Sequence, residues 1–356
     1  MKTSDRLRGL VIPLFEESDF ISTSRENKYK FQCTRCHETF EDNIDDGRVP
    51  RCLKCFPILC GKSNGEIDLA EFIRKSMSCN ILSNDRTLLG QKELDIYVPD
   101  KKIAIEYNGL FWHSERGGKK PYNYHLNKTK ACESKNVRLI HVFEDEWLLK
   151  RDIVESKLNY ILNVGTFNKI YARKCNVREI KYSEMDIFME DNHLQGSVKS
   201  IINIGLFYNG ELVSAASFGG FRRSLGQRPL KNGYELLRFA TRRNTIVNGG
   251  FSKLFKFFVN KYTPQSVISY ADRRWSNGNV YSSAGFECIG ETAPGYWYVK
   301  NGDITRKHRF SFRKSELPKK LKIFDPLLSE WQNMQLNGYD RIWDCGNLKY
   351  EWKIKT

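Results

Sequence analysis

The stretch that decides the fold runs from Lys92 to Glu115 and reads KELDIYVPDKKIAIEYNGLFWHSE. Apolar residues alternate with polar ones from Leu94 to Val98, and again from Ile103 to Glu106. This period of two is typical of β-strands, in which successive side chains point to opposite faces. Pro99-Asp100-Lys101 between the two runs is typical of a turn, so the sequence predicts a β-hairpin.

Two acids of this hairpin, Asp95 and Glu106, are predicted to lie on the face opposite its apolar residues. Carboxylates on neighbouring strands can converge on one divalent cation, which polarises a phosphodiester and lowers the pKa of an attacking water. Glu66 opens the preceding helix and can add a third carboxylate. His113 follows a bend at Gly109 and can move a proton or bind metal. The alternative is that both acids are solvent-facing strand residues.

The residues around the hairpin predict a mixed α/β unit. Apolar residues at helical spacing after Glu66 predict a helix. A second helix is expected over about 122–134, a strand over 137–143 and a last helix over about 145–162. Phe111 and Trp112, just before His113, are expected to wall the site.

The quoted stretch, together with Glu66 and the downstream RLIHVFEDEW, resembles the nuclease domain of homing endonucleases related to the very-short-patch mismatch-repair endonuclease. That family belongs to the wider PD-(D/E)xK nuclease fold, and many members are encoded by bacteriophages. The resemblance covers residues 61–165. It implies magnesium-dependent cleavage of double-stranded DNA, with Asp95 as the central metal ligand and His113 as a catalytic histidine. Together with the acids of the hairpin and the helix start, the candidate catalytic residues are Glu66, Asp95, Glu106 and His113, with Asp95 and Glu106 on magnesium.

The sequence departs from the family pattern at Asn108, where the lysine of the PD-(D/E)xK signature would fall. A lysine general base at that position is therefore excluded. Either His113 carries more of the proton chemistry, or Lys128 or His125 from the next helix substitutes. Glu144 or Asp145 can assist from the end of the following strand, although an N-cap role suits Asp145 equally well.

Four cysteines near the N-terminus form two CxxC pairs, and these are Cys33, Cys36, Cys52 and Cys55. This spacing is typical of a closed tetrahedral zinc site in which two knuckles each provide two thiolates. The competing interpretation is a pair of disulfides, which a reducing cytoplasm disfavours. We expect a structural zinc ribbon over residues 29–60, after an N-terminal segment 1–28. Whether the ribbon contacts DNA stays open.

The chain is strongly basic, with a formal net charge of +16 over 356 residues. Residues 171–314 alone carry 23 Lys plus Arg against 11 Asp plus Glu. Nucleic acid is the expected partner of such a surface, although a merely solvated basic surface is the alternative. No run is apolar enough to cross a membrane and no signal peptide is evident, so a cytoplasmic location is expected, that of the host cell if the protein is phage-encoded.

Residues 170–300 resemble the acyl-coenzyme A-dependent N-acyltransferase (GNAT) fold. The resemblance rests on Gly249-Gly250 at a helix start and on the later YADRRWSNGNVYSSAGFECIGE. Such a loop holds a cofactor pyrophosphate, and the same amides would hold a DNA phosphate. The favoured interpretation is that this domain binds DNA. The alternatives are that it is an active DNA-modifying transferase or that it is merely structural. The expected DNA contacts are Arg222, Arg223, Arg242, Arg243, Arg273, Arg274, Arg306, Lys307 and Arg309.

Taken together, the sequence predicts an α/β multidomain protein with a zinc ribbon, a PD-(D/E)xK-like nuclease core and a GNAT-like domain. Residues 301–356 are expected to be a basic tail that packs on the preceding domain. The predicted function is a site-specific, magnesium-dependent DNA endonuclease of homing type. A DNA-modifying acyltransferase is the alternative, and a non-catalytic DNA-binding regulator is a third possibility.

Overall fold

The computed structural model describes residues 18–25, 28–33, 36–42, 52, 63–77, 79–90, 92–221, 230–300 and 302–354. Its N-terminal part contains an antiparallel three-stranded sheet with the order β1-β2-β3. The strands are β1 (Ser18–Arg25), β2 (Lys28–Cys33) and β3 (Thr39–Asp42). The first cysteine of the predicted ribbon, Cys33, therefore ends a strand.

The second unit is a four-stranded mixed sheet with helices packed against it. Its elements are α1 (Asn64–Ser76), β4 (Leu82–Leu89), β5 (Lys92–Val98), β6 (Ile103–Asn108), α2 (Tyr124–Glu133), β7 (Arg138–Phe143), α3 (Glu144–Leu149) and α4 (Arg151–Leu162). The sheet order is β4-β5-β6-β7, with β7 parallel to β6 and the other pairs antiparallel. The predicted hairpin is confirmed, whereas the predicted last helix is interrupted at Lys150.

Helix α1 is positioned by its cap and by its apolar face. The Ser63 hydroxyl accepts a hydrogen bond from the Glu66 amide at 3.1 Å, which starts the helix and leaves Glu66 in its first turn. Leu69 and Ile73 lie four residues apart and are fully buried in a cluster with residues of the sheet, including Ile105. Each such side chain stabilises the fold by about 1.5–3 kcal/mol. The packing therefore brings the start of α1 against the hairpin.

The third unit is a seven-stranded sheet with the order β15-β19-β14-β12-β11-β10-β9. Its strands are β9 (Asn176–Glu179), β10 (Ile202–Tyr208), β11 (Glu211–Gly220), β12 (Gly233–Thr241), β14 (Ser266–Asp272), β15 (Glu287–Glu291) and β19 (Asn347–Lys353). The associated helices are α5 (Tyr182–Asn192), α6 (Gly250–Tyr262) and α7 (Asn279–Ser282). A separate parallel pair joins β8 (Asn168–Tyr171) to β13 (Thr245–Asn248).

The C-terminal residues do not form a tail. Strand β19 lies between β14 and β15 inside the seven-stranded sheet, so the predicted boundary at residue 300 divides a single sheet. Residues 296–343, here called the C-terminal module, form a small sheet of the order β17-β16-β18. The module contains β16 (Tyr296–Lys300), β17 (Lys307–His308), α8 (Leu317–Lys320), α9 (Glu330–Leu336) and β18 (Tyr339–Trp343). Within the described ranges, none of the helices is long and apolar enough to span a bilayer.

Candidate active site

Three of the four predicted zinc ligands lie together. The sulfur atoms of Cys33, Cys36 and Cys52 all lie within 4.8 Å of one another, and this group can hold a metal ion. The Cys36 and Cys52 sulfurs are 3.6 Å apart, which is much longer than a disulfide bond. The fourth predicted ligand, Cys55, lies outside the described residues.

The hairpin ladder opens at the two predicted acids. Strands β5 and β6 pair regularly up to Ile96 and Ile105. Beyond this pair, the Tyr107 amide donates to the Asp95 carboxylate at 2.8 Å, and the Asp95 amide donates to Glu106 Oε1 at 3.3 Å. Side-chain oxygens thus replace backbone carbonyls as acceptors, and both carboxylates are held between the two strands.

Glu106 is not solvent-facing, because it is only 2% exposed. Its Oε2 atom lies 2.5 Å from the Nζ atom of Lys128, which α2 contributes and which is also buried. Glu66 lies close enough for its charge to raise the pKa of Asp95. The predicted site residues Glu66, Asp95 and Glu106 are therefore brought together, with Lys128 added to the group. Among the described residues, however, only the cysteine group gathers three ligand atoms within 4.8 Å.

Burial controls the ionisation of this cluster. Burial raises the pKa of Asp95 well above its usual range, and the charge of Glu106 adds to that increase while Lys128 opposes it. Burial likewise raises the pKa of Glu106, again against the effect of Lys128. Burial disfavours the charged form of Lys128, but Glu106 and Asp95 outweigh it and raise the Lys128 pKa. The cluster therefore favours an added cation, which would stabilise both ionised acids.

His113 belongs to a chain of three histidines. Its Nδ1 atom lies 2.9 Å from Nε2 of His125, and the His125 ring meets the His141 ring edge to face at 5.4 Å between centroids. The Nδ1 atom of His141 lies 3.2 Å from the side-chain nitrogen of Asn108, and the Nε2 atom of His141 lies 2.9 Å from the Thr129 hydroxyl. Asn108, at the position where the PD-(D/E)xK signature has a lysine, thus contacts and orients His141.

Burial favours the neutral form of all three histidines. Burial lowers the pKa of His113 and of His141 well below the usual value of 6.5. Burial lowers the pKa of His125 to about 3, although the main chain of Trp343 opposes the decrease. A neutral imidazole has one free ring nitrogen that can accept a proton.

The loop that carries His113 is held by the C-terminal module. Ser114 forms an isolated β-bridge with Ile342 of β18. Arg341 donates two hydrogen bonds to the Glu115 carboxylate, both at 2.8 Å, and the Trp343 indole donates to the same group at 2.9 Å. These contacts span more than 220 residues of sequence, so spacing within the nuclease-like stretch does not reveal them.

Other predicted neighbours of the site have different roles. Phe111 is 46% exposed and Trp112 is 67% exposed, and their rings contact each other edge to face, so their place as walls of the site stays a prediction. Glu144 accepts a hydrogen bond from the Leu110 amide at 2.8 Å. Asp145 does not cap α3, whose N-cap residue is Phe143, but instead pairs with Arg306.

Three of the arginines predicted to contact DNA are buried. The Arg273 side chain is 5% exposed and pairs with Glu133 and Glu291. The Arg274 side chain is 3% exposed and pairs with Glu146 and Asp272, and Arg306 joins it on Glu146. The prediction that these three contact a phosphate backbone is therefore wrong for this conformation, because carboxylates of the chain already surround them.

The other predicted basic contacts differ among themselves. Arg242 and Arg243 are partly exposed and pair with Glu211 and Asp152. Lys307 pairs with Asp303 at 3.0 Å, whereas Arg309 is exposed. The last two predicted contacts, Arg222 and Arg223, lie outside the described residues.

The helix start predicted to bind phosphate is α6, which follows Gly249. Gly249 adopts a left-handed φ of 75°, as a glycine does readily. Lys253, in the first turns of α6, donates to the carbonyls of Ala172 at 2.9 Å and Cys175 at 2.5 Å. A Cβ atom added to Gly249 would lie 3.7 Å from Ala172 Cβ. The segment after β8 therefore lies against this helix start and limits the room for a phosphate.

Comparisons with known proteins identify no family for the whole chain. No family model matches. The alpha-galacturonidase of Thermoanaerobacterium saccharolyticum is 30% identical over 90 residues, which span 19% of this chain and 19% of that protein.

Several solved structures that are similar to this chain are acetyltransferases. The ribosomal-protein-S18-alanine N-acetyltransferase of Escherichia coli is 10% identical, with a TM-score of 0.29, over 51% of this chain and 95% of its own. An N-acetyltransferase of Staphylococcus aureus Mu50 is 12% identical, with a TM-score of 0.28, over 51% of this chain and 99% of its own. At these identities and TM-scores the matches carry no argument about the fold or the activity of this chain.

Proposed function

We propose that this protein is a metal-dependent DNA endonuclease whose active site is the cluster of Glu66, Asp95, Glu106 and Lys128. The observation that carries the proposal is the opening of the β5–β6 ladder at two acids, the half-buried Asp95 and the buried Glu106, beside the buried Lys128. Acids with raised pKa values cost folding stability, and such groups cluster at functional sites. Hydrolysis of a phosphodiester is a function that such acids can serve.

The donor set of the cluster fits magnesium. Asp95 and Glu106 offer hard carboxylate oxygens from adjacent strands, and Glu66 contributes a third charge nearby. Magnesium, when bound, would polarise the phosphate and stabilise the leaving oxygen. Lys128 pairs with Glu106, and its ammonium group would also place positive charge near a phosphate bound at the two acids.

His113 is the proposed proton acceptor. In the proposed tautomer, His125 carries its proton on Nδ1, and its Nε2 accepts a hydrogen bond from His113 Nδ1. This arrangement leaves Nε2 of His113 free to take a proton from the attacking water. The low pKa values of both rings keep them unprotonated at neutral pH and so keep that acceptor available.

The cysteine group is proposed to hold a structural zinc, with Cys55 as the fourth ligand. Three sulfur atoms within 4.8 Å of one another suit the soft, tetrahedral coordination that zinc takes from thiolates. A site with four protein ligands leaves no open position, so the zinc would stabilise the N-terminal part and not take part in hydrolysis.

Incubation of the protein with plasmid and genomic DNA in the presence of magnesium, followed by sequencing of the ends, tests the proposal. We expect discrete double-strand breaks at a specific site, which would also support a homing type of endonuclease. Asp95→Ala should lower the cleavage rate at least about a thousandfold while binding of duplex DNA is retained. Cleavage by the variant at the wild-type rate would remove Asp95 from the site.

A second candidate is acyl transfer to DNA or to a base. The observation that favours it is the parallel pairing of β12 with β14, which covers only Gly233–Glu235 and Ser266–Ile268 although both strands continue further. Diverging parallel strands leave space where a cofactor can enter. Calorimetry with acetyl-coenzyme A, with and without DNA, distinguishes the candidates. Tight cofactor binding without magnesium-dependent cleavage would favour the transferase, and neither activity would favour a non-catalytic DNA-binding protein.

A further inference from the structure

The C-terminal module carries a dense group of exposed cations, in the segment 309–322. Its basic residues are Arg309, Arg313, Lys314, Lys319, Lys320 and Lys322, all of which are exposed. The segment contains a single acid, Glu316. It consists of two 3-10 helices, Arg309–Phe312 and Lys314–Glu316, followed by α8.

The charge of this segment is not neutralised by the protein. In the part of the chain that the structure describes, none of its six cations forms an ion pair with a carboxylate. Arg273, Arg274 and Arg341, by contrast, are each paired with at least one acid. These three arginines are thus neutralised by acids of the same chain, whereas the cations of the segment 309–322 face solvent.

Stacking contacts hold part of the segment in place. The Arg309 guanidinium lies 4.9 Å from the Tyr296 ring centroid and 5.4 Å from that of Phe310. Arg313 lies 5.3 Å from the same Phe310 ring. Stacked guanidinium groups keep their N–H donors available at the edge, where a phosphate can accept them.

The module that carries the segment is attached to the unit that contains the candidate nuclease site. Arg306, three residues before it, pairs with Asp145 and Glu146 at the start of α3. At the other side of the module, β18 pairs with the loop that carries His113. A cleft of about 420 Å³ lies between that loop and the module, lined by residues of both, including Phe111, Arg116, Lys300 and Tyr339.

We propose that the segment 309–322 is a binding surface for the phosphate backbone of duplex DNA, which it guides to the Asp95 cluster. This inference rests on the proposed function, and it deepens it by naming where the substrate is held. A row of unneutralised cations suits a partner with regularly repeated negative charge, and duplex DNA is such a partner. Because the contacts are to phosphates, the surface provides affinity without sequence preference.

The test compares two triple variants of the full chain. The test variant is Lys314→Gln/Lys319→Gln/Lys322→Gln, which avoids the stacked arginines and avoids Lys320, whose Nζ donates to the Ser311 carbonyl at 2.6 Å. The matched control is Lys169→Gln/Lys174→Gln/Lys199→Gln, which removes the same charge from other exposed positions. Binding of a fluorescent 30-bp duplex is measured by anisotropy between 50 and 300 mM salt with a chelator present, so that cleavage does not interfere.

We expect the test variant to bind at least about tenfold more weakly than wild type, with a salt-dependence slope smaller by roughly 2 to 3. The control should stay close to wild type. Equal binding by both variants would overturn the inference, while wild-type binding and cleavage would leave the proposed function intact. Failure of the wild-type protein to bind duplex DNA would overturn both. If the wild-type protein instead preferred vesicles of phosphatidylserine and phosphatidylcholine to duplex DNA, and the test variant lost that binding, the segment would be a membrane-binding surface.

Discussion

Asp95 lies where its ionised form, which the proposed chemistry requires, lowers the stability of the fold. Its pKa is raised because burial and the charge of Glu106 both disfavour the ionised carboxylate. An acid whose pKa is higher in the folded state binds protons more tightly there. The stability of the metal-free protein therefore falls as pH rises from the usual Asp pKa through the raised one.

We therefore expect Asp95→Asn to raise the melting temperature of the metal-free protein at pH 7 to 8, by about 2–4 °C for each kcal/mol gained. Magnesium should stabilise wild type and should have little effect on the variant. Thermal unfolding followed from pH 4 to 8, with chelator or with magnesium, measures both effects. Asp100→Asn, in the exposed turn of the hairpin, is the control. An identical response of Asp95→Asn and wild type to pH and magnesium would contradict the prediction.

Lys128 and Glu106 form a buried pair whose members depend on each other. Lys128→Met should lower the free energy of unfolding by about 3–5 kcal/mol, because Glu106 would be left buried without its cation. Adding Glu106→Gln should recover most of this loss, although neither variant should cleave DNA. Urea unfolding of the two single variants and the double variant measures the coupling. Additive losses in the double variant would show that the pair is not coupled.

At the scale of elements, the hairpin and the helix start could be predicted from the sequence, because their signals are local. Alternation from Leu94 to Val98 reflects the pleat of one strand, and the Ser63 cap lies three residues from the amide it binds. The interruption of the last helix at Lys150 could not be predicted in this way. The helical pattern continues through Lys150, whereas the backbone of Lys150 leaves the helical region, with φ of −132° and ψ of 35°.

Helix α3 joins the second unit to the C-terminal half through Glu146. Burial opposes ionisation of Glu146, but Arg274 and Arg306 outweigh it and lower its pKa to about 2. An acid with a lowered folded pKa contributes stability that is present above its usual pKa of 4.5 and lost as pH falls towards 2.

Glu146→Gln should therefore destabilise the protein by about 3–5 kcal/mol at pH 7, because two buried arginines lose a shared carboxylate. The difference from wild type should shrink as pH falls below about 4.5. Chemical unfolding at pH 7 and at pH 3.5 measures the difference. Glu155→Gln, on the neighbouring helix α4 in a pair with partly exposed Arg151, is the control and should change stability by about 1 kcal/mol or less. A constant effect across this pH range would rule out the ion pairs as its cause.

For the whole molecule, the position of β19 decides which residues form one folding unit. Because β19 pairs with both β14 and β15, removal of residues after Lys300 would expose two strand edges and the core residue Tyr350 would be lost. The truncated chain 1–300 should be insoluble or fail to unfold cooperatively. Expression and calorimetry of that chain, beside full-length protein, test this. A soluble, cooperatively folding 1–300 chain would instead support a dispensable tail.

The net charge could be predicted from the sequence, but its distribution over the surface could not. Arg273 and Arg274 stand in a basic stretch and were natural candidates for DNA contacts, yet they are buried among carboxylates from distant parts of the chain. The segment 309–322 holds six basic residues, and within the described part of the chain no carboxylate pairs with any of them. Whether an arginine is free depends on which acid the fold brings to it.

The sequence by itself therefore determined the hairpin, the acids that it carries, the cysteine spacing and the overall charge, because each depends on neighbours a few residues apart. Only the tertiary structure decided the partners that set their chemistry. Lys128 reaches Glu106 from another element, His125 reaches His113, and Arg341 holds the His113 loop from the far end of the chain. Such pairs form because packing brings together residues whose separation in sequence carries no periodic signal.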